Sequence, residues 1–162
     1  MSKIARFISI LSDTTNKMIS KFVVLLMFLL SLLLGIAVFY RYALNDSIYW
    51  SNEVARYLLA YIVFLGSTVA HKHNVHIRID MIFSHISNRM KQNLDIAISL
   101  CFIVFWAIII SGCIKLFPLF MMQTTATLQI PYAIPFAALP ISALIWILYC
   151  IDDILQAVIK NR

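Results

Sequence analysis

The chain has 162 residues, 62% of them hydrophobic, a mean hydropathy of +0.91 and a formal net charge of +6. Soluble domains have about 45–50% apolar residues, and too few residues remain outside the apolar runs for a soluble catalytic domain, which usually needs roughly 50 or more. The positive charge does not point to nucleic acid, since no folded basic surface with base-reading or stacking groups is in view; it suits anchoring beside anionic membrane lipid.

Residues 2–15 place Ile4, Phe7, Ile8 and Leu11 at helical spacing beside Lys3 and Arg6. The pattern predicts an amphipathic helix lying in the membrane interface, with a frayed tail as the alternative. Residues 22–40 are a first apolar run of 19 residues without a charge. A helix crosses the hydrocarbon core with about 20 such residues. The run ends at Tyr40-Arg41-Tyr42 with no small-residue cleavage site, so it is expected to persist as a span and not to be removed as a signal.

The next connection contains Asn45-Asp46-Ser47, which suits a turn and a helix cap. Trp50 sits where an interfacial aromatic belongs. A second span covers about 54–70 and opens with Glu53 and Arg56, three residues apart and on one helical face. Gly66, Ser67 and Thr68 permit close helix approach. Residues 71–80, HKHNVHIRID, are expected to form a polar inner loop. Its histidines, His71, His73 and His76, with His85 beyond, are potential metal ligands. With no cysteine near them, their ordinary reading is solvated interface side chains, and no cofactor or metal is expected.

A third span covers about 94–114, and its helix is expected to continue outward to Pro118 or beyond. Phe117, Phe120, Met121 and Met122 there need cover from lipid or protein. A fourth span covers about 130–151. Pro131 and Pro135 suit its opening turn, Pro140 lies deeper and is expected to kink it, and Asp152 and Asp153 mark its far boundary. Cys101, Cys113 and Cys150 all fall inside spans and read as small packing residues.

Ten of the thirteen Lys and Arg residues flank one side of this pattern, leaving Arg41, Arg56 and Lys115 on the other. Positive segments stay cytoplasmic, so both termini are expected inside. The fold class is an all-α membrane protein with four transmembrane helices, in one domain spanning 1–162. The central turns of the spans hold no ionisable group, although carriers place such groups at membrane depth. Broken helices, which carriers also use, are not evident, because the chain has three glycines and only one deep proline. No phosphate-binding loop, nucleophile elbow or zinc-protease motif is present. The chain reads as a scaffold, neither an enzyme nor a carrier.

The order Tyr40-Arg41-Tyr42, Trp50-Ser51-Asn52-Glu53-x-x-Arg56, Phe64-Leu65-Gly66 and His76-Ile77-Arg78-Ile79-Asp80 resembles the small membrane subunit, the DctQ type, of tripartite ATP-independent periplasmic (TRAP) transporters. Asn52 stands where relatives often carry a second acid before Glu53. The resemblance implies a bacterial inner-membrane protein that supports a large M-type membrane subunit. That partner would carry an organic anion such as a C4-dicarboxylate or sialic acid, coupled to Na+ bound in the partner, after delivery by a periplasmic substrate-binding protein. Arg41, Trp50, Glu53 and Arg56 are then expected to form an outer polar cluster that locks spans 1 and 2 together, or locks the chain to its partner; the alternative is a solvated headgroup cluster. His76, Arg78 and Asp80 are expected to shape the inner loop. Two rivals remain: a self-contained four-helix transporter acting as a homodimer, with Glu53 as its acid, and a membrane redox subunit using the histidines.

Overall fold

The computed structural model describes residues 3–82 and 88–159, with side chains at 5–72, 90 and 93–159. Four stretches are long and apolar enough to cross a membrane: Ala5–Ala43, Ser51–Lys72, Asn93–Met122 and Ala133–Ile159. They are carried by α1 (Lys3–Ala43), α2 (Ser51–Ile82), α3 (Asn88–Met122), the short α4 (Ala133–Phe136) and α5 (Ala138–Ile159).

The 41 residues of α1 run without a break. The helix expected over 2–15 is therefore the opening of the first spanning helix. No Gly or Pro separates the two parts, so nothing interrupts the backbone ladder. At 1.5 Å per residue α1 is about 60 Å long, twice the hydrocarbon thickness of about 30 Å. Ala5, Ser12, Asn16, Val23 and Leu26 are buried at helical spacing, so one stripe of α1 is packed from its first turns onward.

The segment expected as a polar loop at 71–80 is helical in backbone, because α2 continues to Ile82. Nothing in HKHNVHIRID breaks a helix, and polarity alone does not end one. The side chains of His73, His76, Arg78, Asp80 and His85 lie outside the described residues. Further along, α3 passes through Pro118 to Met122. In the last span Pro140 is the third residue of α5, and the interruption it causes falls one turn earlier, at Ala137 between α4 and α5. Lacking an N–H, Pro140 cannot bond the carbonyl of Phe136, and its ring crowds that carbonyl.

The helices pack as a row more than as a closed bundle. α1 lies along α2, α2 along α5, and α5 along α3; α1 also reaches α5, so the row curves, while among the described residues neither α1 nor α2 lies along α3. α5 is central: its buried Ala138, Ser142, Ala143 and Cys150 let neighbours approach closely, while Tyr149 and Asp152, also buried, fill the space toward the terminal end. The outer faces of α1 and α3 are strongly apolar and exposed, with Val24, Phe28, Leu32 and Phe39 on one and Val104, Ile108 and Ile114 on the other.

Candidate functional site: polar ties at the two ends of the row

At the far end, away from the termini, one face of α2 carries Glu53, Tyr57 and Tyr61, each four residues apart. The connection after α3 folds back on itself. Thr125 N donates to Ile130 O (2.9 Å) and Tyr132 N to Gln123 O (3.0 Å), and Ile130 N donates to Thr125 Oγ1 (3.2 Å). Gln129 closes this turn at φ 53°, a left-handed conformation uncommon for residues other than Gly and Asn.

The tip of the turn presents two backbone N–H groups to Glu53: Thr127 N at 3.0 Å and Leu128 N at 3.2 Å, both on Oε2. Oε1 accepts from the Tyr57 hydroxyl. One turn deeper, Tyr61 Oη donates to Ile134 O at 2.8 Å. A carboxylate accepting several N–H and O–H donors makes charge-assisted bonds, stronger than neutral ones. Glu53 therefore fastens α2 to the connection between α3 and α4.

The other members of the sequence-derived cluster lie apart from this tie. Arg41 sits with its guanidinium carbon 5.8 Å from the Tyr42 ring centroid. Trp50 is half exposed, and Arg56 lines a groove against α1. Among the described residues, no ion pair joins Glu53 to either arginine. Tyr57, Tyr61 and the 123–132 turn were not singled out from sequence. Their signal was present, since tyrosines four and eight residues after Glu53 continue its face of the helix.

At the terminal end a second tie joins three helices. Lys72 of α2 donates to Asp152 Oδ2 of α5 at 2.6 Å and to Ser12 Oγ of α1 at 2.7 Å, and pairs with Asp13 Oδ1 at 3.2 Å. The Asp152 side chain is 1% exposed and that of Lys72 14%. Beside it, His71 Nε2 meets Asp153 Oδ2 at 3.1 Å. The imidazole lies 4.1 Å from the Trp146 ring centroid and meets Phe102 of α3 edge-on at 6.2 Å. Trp146 Nε1 donates to Ser67 Oγ (3.2 Å), and Trp106 of α3 stacks against it at 5.7 Å.

Sequence reasoning treated these residues separately, as inner basic charge, as a boundary doublet and as loop histidines. With an even number of crossings, the end of the second span and the end of the fourth share a level, so a lysine at one and paired acids at the other were a readable signal. Among the described residues no group of three His, Cys, Asp or Glu side chains is placed to hold a metal ion. The Glu53 tie lies in the first turn of α2 and the Lys72 tie where the apolar part of that helix gives way to the polar 71–80 stretch, and the chemistry of both is that of fastening.

A family described as "Tripartite ATP-independent periplasmic transporters, DctQ component" matches residues 30–160, a range holding both Glu53 and Asp152. The chain belongs to the DctQ family. This DctQ chain is also 33% identical over 95 residues to the isethionate TRAP transporter permease protein DctMQ of Oleidesulfovibrio alaskensis. The match covers 57% of the chain but 15% of that relative, so the chain spans a small part of the relative's length. With four spanning helices and membership of a transporter family, the DctQ chain is a multi-pass membrane protein and an accessory component of a TRAP transporter.

Proposed function

We propose that this DctQ chain is a non-conducting scaffold subunit that packs against and steadies a large M-type subunit, which carries an organic anion with Na+. The observation that carries this reading is where the charge lies. The one buried ion pair among the described residues, Lys72–Asp152, is neutralised where the apolar part of α2 gives way to the polar 71–80 stretch. Glu53, the acid that a self-contained exchanger would need, is engaged by Tyr57 and by the backbone of the 123–132 turn. A carrier needs polar groups free at membrane depth, and a row fastened at both ends suits a static support.

The exposed apolar faces of α1 and α3 offer the surface such a partner would cover. In lipid, packing and interhelical polar contacts hold helices together. That the matched relative is a permease named for both M and Q, most of whose length lies outside the match, favours a larger partner. C4-dicarboxylates, sialic acids and similar acids form the cargo class, received from a periplasmic binding protein. The setting is the bacterial inner membrane with both termini inside, as the distribution of Lys and Arg favours.

The test is purification of the affinity-tagged chain from native membranes in mild detergent. A much larger polytopic membrane protein should elute with it in fixed ratio. Elution of the chain alone as a homodimer would refute the reading.

A further inference from the structure

Beside the Glu53 tie, on another side of α2, a groove of about 330 Å³ opens between α1 and α2. Leu30, Leu34, Ala55 and Leu59 wall it, and Asn52 and Arg56 are its polar members. Arg56 is exposed, and no ion pair among the described residues includes it. The acid one turn away, Glu53, is already engaged by Tyr57, Thr127 and Leu128. The groove thus combines an uncompensated guanidinium with an aliphatic slot that continues inward.

Arg56 lies five residues into α2, about 7 Å along the helix from its start. Leu59 lies about 4–5 Å deeper on the same helix, and Leu30 lies one turn deeper than Leu34 on α1. A cation at headgroup depth with an apolar slot beneath it has the polarity of one class of bilayer molecule. A soluble anion would leave the leucines uncovered, and a plain hydrocarbon would leave the guanidinium unpaired. Arginine matches phosphate geometry with two parallel donors.

We propose that this groove is a binding site for a glycerophospholipid, its phosphate held by Arg56 and Asn52 and one acyl chain laid along Leu30, Leu34 and Leu59. The site adds a lipid wedge between α1 and α2, at the end where the 123–132 turn already ties α2 to the rest of the row. It differs from general snorkelling of an arginine to the headgroup layer in requiring the slot as well as the charge.

Native mass spectrometry of the full chain in mild detergent, titrated with phosphatidylglycerol, phosphatidylethanolamine or diacylglycerol, tests it. Wild type should retain one phospholipid of either headgroup and no diacylglycerol. Arg56→Gln should lower occupancy roughly tenfold or more, the scale of losing a charge-assisted donor, while Arg56→Lys keeps part of it. Leu34→Trp, which fills the slot and leaves the charge, should also displace the lipid. Arg41→Gln, at the same end but outside the groove, should change nothing. Circular dichroism checks that each variant keeps its helix content. Equal adducts in wild type and in both Arg56→Gln and Leu34→Trp would overturn the proposal. So would retention of diacylglycerol, or a loss on Arg41→Gln as large as that on Arg56→Gln.

Discussion

Glu53 and Lys72 do comparable work with different chemistry. Glu53 receives two N–H groups from a turn that has no other use for them. Replacing it by Ala should free the 123–132 turn, so hydrogen–deuterium exchange at Thr127 and Leu128 should accelerate. Glu53→Gln, which keeps an acceptor oxygen, should accelerate it less. Unchanged exchange in Glu53→Ala would show that the carboxylate does not hold the turn. Lys72 faces the buried Asp152 across 2.6 Å. Breaking such a pair strands a buried charge and costs about 3–5 kcal/mol, whereas replacing both partners with apolar groups is often neutral. Lys72→Met should therefore lower the thermal midpoint of the detergent-solubilised chain sharply. The Lys72→Met, Asp152→Leu double variant should recover most of the loss, and additive losses would contradict the pairing.

At the scale of the element, packing in lipid depends on small residues. A Cβ built on Gly66 of α2 would meet Val23 Cγ1 of α1 at 3.8 Å, an ordinary contact. Gly66→Ala should thus be tolerated, while Gly66→Leu should push α1 from α2 and cost about 1–3 kcal/mol by overpacking, read as a lower thermal midpoint. Pro140→Ala should restore a donor to the Phe136 carbonyl and join α4 to α5, read as slow hydrogen–deuterium exchange of the new amide at position 140. The four spans were legible because a run of about 20 apolar residues has few other readings in a chain this hydrophobic. The extent of α1 and α2 at the terminal end was not, because propensity does not separate a polar helix from a polar loop. The Pro140 interruption was foreseen in kind and lies one turn earlier than its residue number suggests.

For the whole molecule, the sequence carried the class, the family resemblance and the absence of charge in the central turns. It named Glu53 but not the groups that Glu53 meets, because those are backbone N–H groups of a turn more than seventy residues away, and a single sequence does not encode which segments face each other. The row order α1, α2, α5, α3 was likewise hidden, since apolar runs do not say which neighbours they choose. On the proposed function, this row supports another polypeptide and conducts nothing by itself. Uptake of a radiolabelled organic anion into liposomes under a Na+ gradient, with the binding protein present, tests it most directly. Liposomes holding this chain alone should show no uptake above protein-free vesicles, and those holding it with its large membrane subunit should accumulate the anion. Anion accumulation in vesicles that contain only this chain would contradict the account.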